Sequence, residues 1–200
     1  MIDIKDYNFY KNNSFDKNSP FCKSLNSNKG NLLNPLFAKN SMLYNEIKND
    51  VTHIVYSVHN ALNYKILTSL TNLNFLCIYS QINLDCIDFY LLSNLRSLFL
   101  FFKHVSDKCL RNLPAGIDTL FFDMSSIWLS TITECEFVFD NLPSTLNKII
   151  FCFDTVPQKI YAKSRLVILK KITKFKIPFN CKIYFFSDNI NRFVEEKISI

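Results

Sequence analysis

Apolar residues recur along this chain in a six-residue phrase, apolar-x-x-apolar-x-apolar, at a fixed interval. It reads Val51, Ile54, Tyr56; then Leu73, Leu76, Ile78; then Leu95, Leu98, Leu100; then Ile117, Leu120, Phe122, with each copy starting 22 residues after the last. Two looser copies follow, at Leu146, Ile149, Phe151 and at Cys181, Tyr184, Phe186. A constant period of this length marks a stacked repeat, whose units are too small to bury an apolar face alone and bury it against their neighbours. The expected unit is a short strand carrying the phrase and a return segment of about 16 residues. In those return segments Leu62, Ile66, Leu67 and Leu70, then Leu84, Ile87, Leu91 and Leu92, then Val105, Cys109, Leu110 and Leu113 sit at helical spacing. That spacing predicts helices of two or three turns. Strand followed by crossover makes successive strands parallel, with a right-handed connection. The expected fold class is α/β: a short solenoid with a curved parallel sheet, and short helices or loops on its other side.

The pattern divides the chain. Residues 1–40 are rich in Asn and Ser, which bond their own backbone and favour turns. Yet Phe9, Tyr10, Phe15, Phe21, Leu32, Leu33, Leu36 and Phe37 are interspersed among them. This predicts an irregular arm that packs partly on the first repeat, because the open end of a solenoid needs a cap. Residues 41–188 form the expected repeat region, beginning with a short helix over 41–50. Within it, ITECEFVF at 132–139 reads as an added strand or hairpin. LVIL at 166–169 reads as a buried strand or the start of a helix, and alternation at Thr173, Phe175 and Ile177 as an edge strand with a charged outer face. Residues 189–200 are expected to be a C-terminal cap, with a polar helix over Asn189 to Glu196.

Composition narrows the function classes. At 48% hydrophobic and 15% aromatic, with 20 Phe, the chain is too apolar for disorder. Two glycines, Gly30 and Gly116, allow neither GxGxxG nor GxxxxGK[ST]. The net charge of +6 reads as a solubility charge; only Lys170, Lys171, Lys174 and Lys176 cluster. The first 20 residues lack the apolar core of a secretory signal, and the densest apolar run, Leu98 to Phe102, is far below the roughly 20 residues of a membrane span. Seven cysteines, odd in number and without CxxC, argue against disulfides or zinc and for small buried apolar residues. A cytoplasmic location without membrane, metal or cofactor is expected.

The phrase resembles the leucine-rich repeat, whose LxxLxL strand lines a curved sheet. Leu113-Pro-Ala-Gly-Ile-Asp-Thr-Leu-Phe-Phe122 also matches Leu142-Pro-Ser-Thr-Leu-Asn-Lys-Ile-Ile-Phe151, and more faintly Ile177-Pro-Phe-Asn-Cys-Lys-Ile-Tyr-Phe-Phe186. This LPxxLxxLxF phrase is similar to the FNIP-type repeat of amoebal and giant-virus proteins. The resemblance spans about residues 51–186. The Asn that follows LxxLxL in leucine-rich repeats is absent; His59, Gln81, Lys103 and Ser125 stand there, and the Phe-Asn pair of the FNIP phrase is also missing. The resemblance implies protein–protein interaction and no catalytic residues.

Strand alternation then singles out the residues between the repeating ones, since neighbours on a strand face opposite ways. The interleaved central column is Val55, Cys77, Phe99, Phe121, Ile150 and Phe185, flanked by Phe75, Tyr79 and Phe101. This ladder has three readings: a partner-binding surface, a surface covered by the chain's own N-terminal arm, or a second core. The candidate binding residues are therefore Phe75, Cys77, Tyr79, Phe99, Phe101, Phe121, Ile150 and Phe185, because aromatic anchors suit recognition. Catalytic chemistry finds little support. His53, His59 and His104 have no metal spacing, a Cys77–His53 pair lacks an orienting group, and Glu134 and Glu136 flank Cys135 on one strand as a solvated face. Lys174, Phe175 and Lys176 alternate base and ring as single-strand binders do, but on one strand only, so nucleic acid is not the expected partner. The chain is expected to bind a protein segment on its apolar strand face. The alternative is a structural protein that buries the ladder in a homodimer, and an enzyme ranks third.

Overall fold

The computed structural model describes residues 53–58, 67–80, 84–101, 105, 107–124, 139, 141–153, 157–172, 176–187 and 192–196. Side chains at 53–58, 79, 80, 86, 101, 107, 187, 192, 193, 195 and 196 lie outside that description. One seven-stranded sheet organises these residues: β1 (His53–Val58), β2 (Phe75–Ser80), β3 (Ser97–Phe101), β4 (Thr119–Asp123), β5 (Lys148–Phe153), β6 (Lys182–Ser187) and β7 (Arg192–Glu196). The strands lie side by side in chain order. Neighbours from β1 to β6 are parallel, and β7 is antiparallel to β6. Ladder partners follow the phrase: His53 pairs with Phe75, Phe75 with Ser97 and Ser97 with Thr119, each 22 residues on. The next steps are Thr119 to Lys148 and Lys148 to Lys182, so the longer spacings fall between strands and leave the ladder intact.

The repeating phrase builds the larger core. Leu76, Leu98, Leu120, Ile149 and Ile183 pair across the sheet and are fully buried, as are Ile78, Leu100, Phe122, Phe151 and Phe185 one pleat along. Against this first face pack the return segments. The second and third carry shorter elements than helical spacing predicts, 3-10 turns at Leu84–Cys86 and Phe89–Leu91 and a five-residue helix α1 (Asp107–Arg111), while Leu62 and Ile66 of the first lie outside the described residues. Leu84, Ile87, Phe89, Leu92, Cys109, Leu110 and Leu113 still reach the core. A 22-residue step leaves too few residues for a longer helix after the strand and its turns, so single turns carry the apolar residues inward.

The long step from β5 to β6 contains the longest helix among the described residues, α2 (Gln158–Ile172). Tyr161, Ser164, Ile168 and Ile172 are buried along one stripe at three- and four-residue spacing, while Lys170 and Lys171 close the last turn where the helix dipole favours positive charge. LVIL at 166–169 is thus the middle of a helix; Leu166 faces solvent and Ile168 the core. Ile177, expected on an edge strand, has no regular structure and packs partly on the first-face core. The expected C-terminal helix is instead strand β7. Phe193 and Val194 pair with Phe186 and Phe185, so the open edge of β6 offers this segment a ladder that outweighs its helical pattern. The short helix over 41–50, the added hairpin over 132–138 and the positions His59, Gln81, Lys103 and Ser125 lie outside the described residues. Phe139, at the end of that insert, is buried with its ring edge-on to Phe122, centroids 6.0 Å apart.

A repeated turn aims each strand from β2 to β6. The amides of Leu73, Leu95, Ile117, Leu146 and Cys181 donate to the carbonyls three residues earlier, of Leu70, Leu92, Pro114, Pro143 and Pro178. After the middle turns, two consecutive amides then share one carbonyl of the preceding unit: Arg96 and Ser97 donate to Asn74, Asp118 and Thr119 to Arg96, and Asn147 and Lys148 to Asp118. Before β6 only Lys182 makes this bond, to Asn147, because the amide of Cys181 is already committed to the turn. One residue is therefore missing between turn and strand. Asn180, third in the Pro178–Cys181 turn, adopts φ 71, a left-handed conformation that Asn tolerates and that a type II turn requires there.

That missing residue corrects the sixth copy of the phrase. In period-2 alternation a one-residue shift sends every side chain to the opposite face. Ile183 and Phe185 join the first-face core, and Tyr184 and Phe186 do not. The phrase expected at Cys181, Tyr184 and Phe186 is displaced by one position, and Phe185 stands among the repeating core residues rather than in the interleaved column.

Candidate functional site

The interleaved residues make a second apolar cluster on the opposite face. Phe75 and Cys77 come from β2, Phe99 from β3, Phe121 from β4, Ile150 and Cys152 from β5, and Tyr184 and Phe186 from β6. Cys77, Phe99, Phe121, Ile150 and Tyr184 are successive register partners, which makes one continuous row across five strands. The rings of Phe99 and Phe121 stack with centroids 5.6 Å apart and planes inclined by 16°. The offset-stacked pair is favourable beyond its buried area.

Five of the eight candidate residues hold their expected places in this face: Phe75, Cys77, Phe99, Phe121 and Ile150. Phe185 does not. Its ring lies on the first face, stacked on Phe151 at 5.3 Å and under the Arg165 guanidinium, 5.8 Å from the ring centroid. Tyr79 and Phe101 lie on β2 and β3, and their side chains are outside the described set. Cys152, Tyr184 and Phe186 were missed. Cys152 follows from alternation past Ile150, and the two aromatic residues were masked by the one-residue deletion before β6.

The face is closed. Its least buried member, Tyr184, keeps 7% of its surface exposed, and Phe99 and Phe121 keep 1%. In the folded chain the ladder is therefore covered, and a partner segment or a second copy would reach it only by displacing what lies across it. Side chains standing up from a sheet shield one another laterally, but their tips stay wet unless something lies across them. Among the described residues, the cluster's members all belong to strands.

Two polar features frame the face. Asp123 ends β4 on the same side as Phe121 and is buried at 1% exposure. Burial first, and the charge of Asp123 second, push the Cys77 thiol well above its usual range, so this cysteine is a neutral core residue rather than a thiolate nucleophile. At the strand starts, Asp118 accepts hydrogen bonds from Asn147 Nδ2 at 2.6 Å and Thr119 Oγ1 at 2.7 Å, with Lys148 Nζ 3.7 Å away. Burial raises the Asp118 carboxyl pKa, but those two hydrogen bonds and the Lys148 charge outweigh it and hold the group below its usual value. Asn94 Nδ2 donates to the Thr71 carbonyl, Arg96 to the Gly116 carbonyl, and Thr145 Oγ1 to those of Ala115 and Ile117. These bonds tie adjacent units along the turn edge. They are structural, and they fasten the repeat on a side where the sequence pattern shows no common residue.

Cys109, on the first face, is pushed up to about 12 by burial and then by Asp85. Among the described residues no group of three His, Cys, Asp or Glu side chains comes together as a metal site, and no helix is long and apolar enough to cross a membrane. The side chain of His53, and all of His59, His104, Glu134 and Glu136, lie outside the described set. Among the described residues the large apolar side chains left in water, Tyr90, Leu91, Leu166 and Phe179, sit on a 3-10 turn, helix α2 and the Pro178 turn. No family model matches this chain, and no curated protein matches it.

Proposed function

We propose that the chain is a leucine-rich-repeat-like solenoid that serves as a protein-interaction module, and that its docking surface is the second face of the sheet. The observation that carries this reading is the continuous row Cys77, Phe99, Phe121, Ile150 and Tyr184, buried although only strands contribute to its cluster among the described residues. Such a row is shaped to hold an extended apolar segment laid across five parallel strands. The first face is filled by return segments and α2, so the second is where a segment from elsewhere can be accommodated. Aromatic side chains suit this task because they supply large contact area at little entropic cost. On sequence grounds the module works in the cytoplasm.

Selection of a displayed random-peptide library on the full chain tests the proposal. The expected winners are rich in aromatic and aliphatic residues, and a benzophenone-bearing copy of a winner should crosslink to tryptic peptides containing Phe99, Phe121 or Tyr184. Crosslinks confined to α2 or to the exposed turns would refute it, as would a selection yielding no binder.

A further inference from the structure

We infer that in the free chain the second face is covered by the chain's own N-terminal arm, residues 1–52, which would compete with any partner segment for the same surface. The covering stands independently of the proposed function; the competition rests on it.

The burial of the face requires atoms above it, and the chain's connectivity limits where they come from. The segments following β1, β2 and β3 lead to Leu67, Leu84 and Cys109, all in the first-face core. The insert over 125–138 leaves from Met124 and returns at Phe139, both also on the first face. Residues 154–156 lead into α2 on that side, where Tyr161 packs edge-on to Phe153. The connection from β6 to β7 is four residues long and lies at the far end of the row from β2. The arm remains. It is 52 residues long and enters the sheet at β1, next to β2 where the row begins.

Its length and chemistry fit. From β2 to β6 the row crosses four strand spacings of about 4.8 Å, roughly 19 Å, which about six extended residues span. The stretch from Phe9 to Phe21 could cross it twice, and it carries Phe9, Tyr10, Phe15 and Phe21 among polar residues that can face water. The rim also offers reporters. Lys148 and Lys182, register partners at the strand starts, lie on the same alternation as Ile150 and Tyr184.

The test uses the full chain and the native alkylation rates of three cysteines, resolved by peptide mass spectrometry. Cys77 and Cys152 report the second face, and Cys109 reports the first. In a chain carrying Phe9→Asp, Tyr10→Asp, Phe15→Asp and Phe21→Asp, Cys77 and Cys152 should react at least about tenfold faster while Cys109 is unchanged, the mark of local rather than global opening. Unchanged Cys77 and Cys152 rates overturn the inference, and a rise produced instead by Trp128→Asp with Ile132→Asp assigns the cover to the insert and overturns it equally. Should Cys109 accelerate as well, the fold has been lost, and amine crosslinking of the unaltered chain decides. Links from Lys5, Lys11, Lys17 or Lys23 to Lys148 or Lys182 support the covering, and links only to lysines of α2 overturn it. Peptide crosslinking and thiol protection are separate readouts, so the arm can fail as the cover while the docking face survives, and the reverse.

Discussion

Truncating Phe121 to alanine separates a buried second core from an exposed aromatic ladder. The side chain keeps 1% of its surface exposed and stacks on Phe99 at 5.6 Å. Removing a buried phenylalanine ring costs about 3–5 kcal/mol through lost transfer energy and the cavity left behind. The stacked pair accounts for roughly 0.5–1.5 kcal/mol of that. On an exposed surface the same truncation would cost within about 0.5 kcal/mol. Phe179, 90% exposed on the Pro178 turn, is the matched control and should show that small value when changed to alanine. Urea unfolding followed by fluorescence of the single Trp and by circular dichroism gives both numbers. A domain of ordinary stability has about 5–15 kcal/mol in hand, so Phe121→Ala could unfold a weak chain outright. Phe121→Leu keeps the experiment readable, with an expected loss of about 1–2 kcal/mol. A double-mutant cycle with Phe99→Ala should return a coupling of about 0.5–1.5 kcal/mol. If Phe121→Ala unfolds within about 0.5 kcal/mol of the parent, as Phe179→Ala should, the burial argument is wrong.

Further expectations come from the turn edge and the cysteines. Asp118→Asn should destabilise the chain at neutral pH, and the deficit should vanish on acidification: a carboxyl with a lowered folded pKa stabilises above its unfolded value and loses that contribution as pH falls through the folded one, under the usual carboxylate range. A deficit that persists unchanged at pH 2 would show that packing, not charge, is responsible. Asn180→Val, at φ 71, should cost about 1–2 kcal/mol and Asn180→Gly almost nothing, measured by thermal melts; equal effects would rule out a left-handed turn. Cys109, with its thiol pushed up to about 12, should resist maleimide at pH 7 in the folded chain and react at once in urea. Rapid labelling of the native chain would place it outside the core.

Much of the sheet was legible because its period is enforced by geometry. Leu73, Leu95 and Ile117 each end the turn that starts a strand, so the 22-residue step in sequence is the step of the ladder. The sixth strand was misread for an equally local reason. Cys181 serves both as the end of its turn and as the residue before the strand, and no periodic pattern displays a deletion of one residue between two apolar ones. Counting from Pro178 rather than from the phrase would have found it, since Pro143 lies six residues before Ile149 and Pro178 only five before Ile183. At Leu166–Leu169 the pattern leaves strand and helix open, and it favours a helix where β7 forms, because packing and an open sheet edge decide both, not local pattern. Of the face, alternation located Phe75 through Ile150, but not whether it was wet. Exposure depends on what lies across a sheet, and no strand encodes that alone.

The central claim is one sheet with two apolar faces, the second running through Phe121 and the first through Phe185. Nuclear Overhauser contacts between selectively labelled phenylalanine rings test it most directly. Phe99 should show contacts to Phe121 on one face, and Phe151 to both Phe122 and Phe185 on the other. Contacts from the Phe185 ring to Phe121 or Ile150, with none to Phe151, would contradict it.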